Sequence, residues 1–161
     1  MIASILRAIL PRQVRQKARA VYEAFLHTET LKESKEKWNK LAGENARYFV
    51  MTDFGRDISE EQFRSSGKRD YDTLIEADPL LRESLTPFSE RSVLEIGCGT
   101  GRITEYLGPH FKRVSGIDIS EEMIREGKIR LSGKDNVELR ATDGLTYPYG
   151  EEHFDLVFSF I

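Results

Sequence analysis

The feature that most limits how this chain can fold is the run Val93-Leu94-Glu95-Ile96-Gly97-Cys98-Gly99-Thr100-Gly101, where an apolar strand passes directly into three glycines at alternate positions. Glycine lacks a Cβ and accepts positive φ, so such a loop can bring main chain close to a ligand. A helix starting just beyond it would offer unpaired N–H groups and the positive end of its dipole to an anion. Any tight strand-to-helix turn can use glycine for structural reasons alone. Three in alternation, with an acidic residue two positions before the first, favour a ligand loop. The spacing also discriminates between ligands. A dinucleotide fingerprint needs GxGxxG, but counting from Gly97 or from Gly99 puts Arg102 or Thr104 where the last glycine should stand. A triphosphate loop needs Gly-Lys followed by Ser or Thr, whereas Gly67-Lys68, Gly127-Lys128 and Gly133-Lys134 run into Arg69, Ile129 and Asp135.

Around this loop, short apolar runs alternate with helical stretches. The pattern predicts strand 91–96, helix 101–108, strand 113–118, helix 120–132, strand 137–142 and strand 154–160. That is a βαβ series and implies an α/β fold, a Rossmann-like parallel sheet with its first four strands present. Parallel strands are covered on both faces and read as continuous apolar runs, as Phe154 to Ile161 does. A strand of that kind at a terminus leaves apolar edge and face uncovered, so the expectation is a chain cut from a longer protein. In Val114-Ser115-Gly116-Ile117-Asp118, a carboxylate stands at the carboxyl end of the second strand, about twenty residues past the glycine loop. There it can accept two hydrogen bonds from a ribose diol. Its competing role, capping the next helix, is already supplied by Ser120. Asp143, followed by Gly144, falls at the next strand end on the same rim; an ordinary Asp-Gly turn explains it equally well.

Upstream, Ile2, Ile5, Leu6, Ile9 and Leu10, and after Pro11 Val14, Ala18, Val21, Tyr22 and Phe25, mark two amphipathic helices. Five basic residues precede their first acidic one, Glu23, which suits a packed or self-pairing helix with a solvated basic face, or one lying on an anionic membrane surface. Thr30 to Asn45 reads as a further helix with Trp38, Leu41 and Ala42 as apolar contacts. Residues 46–72 mix aromatics with Gly55, Ser65, Ser66 and Gly67 and read as a short irregular segment. Asp78-Pro79 and Thr86-Pro87 bracket a helix around Leu80 to Leu85. The expected division is a helical cap or lid over residues 1–78 and a Rossmann-like domain over 79–161.

Charge and sulfur content narrow the function. A net charge of -3 gives no positive field to hold a nucleic-acid backbone. Cys98 is the only cysteine, so no internal disulfide can form, and it shares no metal-ligand spacing with His27, His110 or His153. A reducing, cytoplasmic setting fits. No apolar run reaches the roughly 18 to 20 residues that cross a bilayer. His153, beside Glu151 and Glu152, reads as part of a solvated turn, and no catalytic base is assignable.

Taken together, VLEIGCGTGRITEYL, VSGIDIS and ATDGLTYPYGEEHFDLVFS resemble the first four motifs of the class I S-adenosylmethionine-dependent methyltransferases, over residues 91–161. The resemblance implies that Glu95, Gly97, Cys98, Gly99 and Gly101 surround the methionine end of S-adenosylmethionine. It implies Asp118 on the ribose, Ile119 against the adenine, and Asp143 with Gly144 at the adenine amino group. It further implies transfer of a methyl group to an unidentified small-molecule acceptor. A non-catalytic cofactor-binding module is the alternative, and a nicotinamide oxidoreductase is disfavoured by Arg102 and Thr104. Trp38, Ala42, Asn45, Tyr48, Phe63 and Ser66-Gly67 resemble more weakly a cap of bacterial members. There Tyr48, Phe63 and Gly67 would form a lid, or else simply the cap's core.

Overall fold

The computed structural model describes residues 30–51, 55–150 and 153–160. The two predicted amphipathic helices before Phe25, with their membrane-surface or pairing role, lie outside the described residues. The chain divides into two units, Met1–Ser34 and Lys35–Ile161.

Helix α1 (Leu31–Val50) starts at a reciprocal cap. The Thr30 hydroxyl accepts from the Glu33 N–H at 3.2 Å, while Glu33 Oε2 accepts from the Thr30 N–H at 2.7 Å. At Asn45 the backbone leaves the helical region (φ -168°, ψ 82°). Its Oδ1 accepts from the Tyr48 N–H at 3.1 Å, so Asn45 caps the final turn after a kink, and its Nδ2 donates to the Arg56 carbonyl at 2.9 Å.

The stretch expected to be irregular holds a regular helix, α2 (Glu60–Tyr71), continued by a π-helical turn at Asp72–Glu76. Ser59 and Gln62 form a complete capping box before it. Ser66 and Gly67 stand inside the helix because a close neighbour needs small residues there: a Cβ on Gly67 would lie 2.3 Å from the Arg102 carbonyl oxygen. Read without that neighbour, the same residues look like loop composition. Helix α3 (Pro79–Leu85) is capped by Asp78, whose Oδ1 accepts from the Leu80 and Leu81 N–H groups at 2.9 Å.

Four parallel strands follow, β1 (Ser92–Ile96), β2 (Arg113–Asp118), β3 (Val137–Ala141) and β4 (Leu156–Ser159), in the spatial order β3-β2-β1-β4. The Rossmann-like reading is therefore met in strand order and direction. Val93, Val114 and Leu156 share one face through the register Val114↔Val93↔Leu156. On it they pack with Ile103, Leu107 and Phe111, and with Tyr71 and Ile75 from the α2 end. Helix α5 (Glu121–Arg130) lies against β2 and β3 by the cluster Cys98, Ile124, Leu131 and Leu139. The other face carries a cavity of about 390 Å³ between Leu94, Ile96 and Val157 and the loop bearing Tyr147, Tyr149 and Phe154.

The helix after the glycine loop is shorter than expected. It is α4 (Thr104–Leu107), a single turn in place of 101–108. Gly101 at φ +78° takes the chain off the helical path. His153 departs from the solvated-turn reading too, being half-buried and stacked on Tyr149 at 5.4 Å.

Candidate functional site

Gly97, Gly99 and Gly101 have φ of +73°, +53° and +78°, the left-handed region that L side chains rarely enter. The turn is secured to β2, because the Gly97 and Cys98 N–H groups both donate to the Ile117 carbonyl, at 2.8 and 3.0 Å. Space differs along it. A Cβ at Gly97 would approach only Ser159 Oγ, at 4.0 Å, so this part is an open cradle. At Gly101 it would meet Leu131 Cδ1 at 2.7 Å, so that glycine serves packing. Cys98 is buried, and its Sγ would be 2.8 Å from a Cβ on Gly116. Burial pushes its thiol pKa upward, which makes it an inert filler of a crowded turn.

Glu95 points into the interior beneath the turn and is buried. Its carboxylate accepts from the hydroxyl of Thr104. The Thr104 hydroxyl at the helix start is thus taken by a protein carboxylate, and a one-turn helix adds little dipole. Burial raises the Glu95 pKa to about 7, against the opposing effects of Thr104 and the Arg102 charge. The buried Thr100 hydroxyl has no protein partner.

Asp118 ends β2 at the edge of this turn. Its Oδ2 accepts from the Gly99 N–H at 2.9 Å and its Oδ1 from the Ser120 N–H at 2.8 Å. Burial raises its pKa, while the N–H groups of Ser120, Gly99 and Ile119 oppose that rise by stabilising the anion. Each carboxylate oxygen retains a second lone pair for an outside donor. Ile119 is half-buried beside it. Asp143 follows close by, since the Thr142 N–H donates to the Asp118 carbonyl at 2.9 Å. The Asp143 carboxylate itself turns inward on its own loop, its Oδ1 accepting from the Leu145 and Thr146 N–H groups at 2.8 and 2.7 Å. These bonds lower its pKa, and Gly144 takes φ +77°. The sequence-predicted residues therefore gather along one rim of the sheet, with the Asp143 side chain occupied by its turn.

Residues beyond the sequence reading also belong to this rim. Val50 of α1 covers Gly99, its Cγ2 lying 3.2 Å from where a Cβ would be. Arg102 Nη1 pairs with Asp70 of α2 in a nearly dry setting and reaches Ser66 Oγ at 3.3 Å. Arg130 stacks over Phe63 at 4.9 Å and pairs with Glu105. Phe63 is fully buried and Gly67 lies against the Arg102 carbonyl, so both are packed against the residues after the glycine turn, while Tyr48 packs edge-on against Phe49 at 4.8 Å. Among the described residues, no group of three or more His, Cys, Asp or Glu could hold a metal ion, and no helix is long and apolar enough to cross a membrane.

Residues 93–161 match the family model described as a methyltransferase domain. Phosphoethanolamine N-methyltransferase 1 of Arabidopsis thaliana is 29% identical over 134 residues, covering 76% of this chain and 26% of that protein. Demethylmenaquinone methyltransferase of Clavibacter sepedonicus is 31% identical over 74 residues, covering 46% of this chain and 30% of that protein. The fold is similar to Haemonchus contortus phosphoethanolamine N-methyltransferase 1, solved with phosphoethanolamine and S-adenosylhomocysteine, at a TM-score of 0.59 and 21% identity over 81% of this chain and 26% of that one. The chain spans between about a quarter and a third of the length of these relatives. With four parallel strands in the order β3-β2-β1-β4 and the glycine turn and acid of the motifs side by side, residues 93–161 have the Rossmann-like fold of the methyltransferase domain that they match.

Proposed function

We propose that this chain supplies the S-adenosylmethionine-binding part of an enzyme that methylates a small-molecule acceptor. The observation that carries the reading is the contact between Gly99 and Asp118, which sets a positive-φ turn, open at Gly97, beside a partly buried carboxylate. The residues fit the cofactor: Gly97 leaves a cradle that any side chain would fill, and the Thr100 hydroxyl awaits a partner. Gly97 and Gly99 would hold the amino-acid end with main chain, Asp118 would accept the ribose hydroxyls, and Ile119 would pack on the adenine. Asp143 and Gly144 would meet the adenine edge, with the carboxylate drawn partly off its own loop. Glu95, held on Thr104, and Cys98, wedged on Gly116, shape the turn from beneath. Tyr48 and the end of α1 form the lid side of the cap, in keeping with Val50 over Gly99.

When bound, the cofactor supplies an activated methyl group on a sulfonium, so the protein's task is to align donor and acceptor and exclude water. Small-molecule acceptors are supported by the names of the relatives, which refer to phosphoethanolamine and demethylmenaquinone. The lone buried Cys98 suits a reducing cytoplasm. Titration calorimetry with S-adenosylmethionine, S-adenosylhomocysteine and NAD tests the proposal. Binding of the first two and not the third is expected; heat from NAD alone would overturn it.

A further inference from the structure

The Asp118 carboxylate is held from the far side by a residue 79 positions earlier in the chain. Ser120, fully buried at the start of α5, donates its main-chain N–H to Asp118 and accepts the Met123 N–H on its hydroxyl oxygen at 3.1 Å. That leaves the hydroxyl proton to be placed, and it goes to Asn39 Oδ1 of α1, at 2.8 Å. The same Oδ1 accepts from the Glu122 N–H at 3.2 Å. A main-chain N–H can only donate, so the atom facing it must be the amide oxygen and the orientation of Asn39 is fixed. The result is a chain of hydrogen bonds from Asn39 through Ser120 and Asp118 to Gly99. One turn beyond its kink, α1 returns to the other end of that chain, with Val50 against Gly99.

We infer that Asn39 is a positioning residue for the adenosyl subsite, orienting Asp118 through Ser120 without itself touching the ligand. The inference rests on the cofactor reading above. A helix of the cap that holds both ends of the Asp118–Gly99 pair makes ligand affinity depend on a cap residue. Lys35, whose Nζ pairs with Glu121 at 2.7 Å, adds a second tie on the same helix.

The test is S-adenosylhomocysteine affinity by calorimetry in a double-mutant cycle with Asp118→Asn. Asn39→Ala, which removes the acceptor, is expected to raise Kd roughly tenfold, about the effect of one lost buried hydrogen bond. Asn39→Asp keeps the acceptor oxygen and should restore affinity to within about twofold. In an Asp118→Asn background Asn39→Ala should add nothing, because its effect passes through Asp118. Asn39→Gln, which carries the amide one methylene too far, serves if the alanine variant does not fold. Wild-type affinity in Asn39→Ala beside weakened Asp118→Asn would overturn the inference alone, as would equal losses in both backgrounds. Equal affinity of wild type and Asp118→Asn, or no binding by wild type, would remove the cofactor reading and this inference together.

Discussion

The N–H of Gly99 donates to Asp118 Oδ2 at 2.9 Å, tying the turn after β1 to the acid that ends β2. Both partners are specified by ordinary backbone chemistry: φ +53° at Gly99 turns its N–H toward β2, and parallel pairing of Ile96 with Ile117 sets Asp118 one residue past the register. The bond orients one side of the carboxylate and leaves lone pairs on the other.

Asp118→Ala is therefore expected to weaken S-adenosylhomocysteine binding by ~1–3 kcal/mol, the range for losing charge-assisted hydrogen bonds. Gly99→Val should abolish it, since a side chain there is strained by the positive φ and strikes Val50. Calorimetry on folded variants, checked by circular dichroism, decides; unaltered affinity in both would contradict the site.

Two helical glycines should respond with opposite signs to the same change. Gly43 in α1 has nothing within 4 Å of the place a Cβ would take, so Gly43→Ala should stabilise by ~0.5–1 kcal/mol. Gly67 faces the Arg102 carbonyl, 2.3 Å from the corresponding place, so Gly67→Ala must push α2 off its neighbour and cost on the order of 1–3 kcal/mol. Urea midpoints of the two variants would show whether α2 sits as closely as described.

The Arg102–Asp70 pair is buried on both sides, with side-chain exposures of 8% and 11%. Asp70→Asn leaves a guanidinium without its counter-charge, for an expected loss of ~3–5 kcal/mol. Replacing both, as Asp70→Leu with Arg102→Met, should recover much of that loss, because no charge then stays buried. A chemical denaturation cycle in which the double variant is no better than Asp70→Asn would show that Ser66 and packing, not charge, dominate there.

Glu95 gives stability a pH signature. Its folded pKa of about 7 lies above the ordinary value of 4.5, so between these limits the folded state holds more protons than the unfolded. Stability from this group is complete below pH 4.5 and falls as pH rises to 7, by up to ~3 kcal/mol. Glu95→Gln keeps an acceptor for Thr104 and removes the ionisation. It should flatten the slope across that window and gain stability at pH 7.5; an unchanged slope in urea melts at several pH values would rule the assignment out.

Where the signals were local, the sequence was easy to read. The Asp78-Pro79 start of α3, the strand before Gly97 and the order of strands and helices after Arg91 all follow from patterns a few residues long. The short α4 was not legible, because Glu95 takes the Thr104 hydroxyl from across the turn and Gly101 departs from the helical path. Asp143 stood between two readings in sequence; its own Leu145 and Thr146 N–H groups draw its carboxylate into the turn.

By itself, then, the sequence determined a parallel sheet, a glycine turn after its first strand and an acid after its second, because apolar runs and glycine dihedrals act on near neighbours along the chain. Only the tertiary structure decided that Ser66 and Gly67 lie in a helix, that Arg102 pairs with Asp70, and that Asn39 reaches Ser120. Each of those depends on a partner more than thirty residues away, whose carbonyl, charge or hydroxyl gives a small or polar residue its reason to be there. No pattern within α2 or α1 alone carries that information.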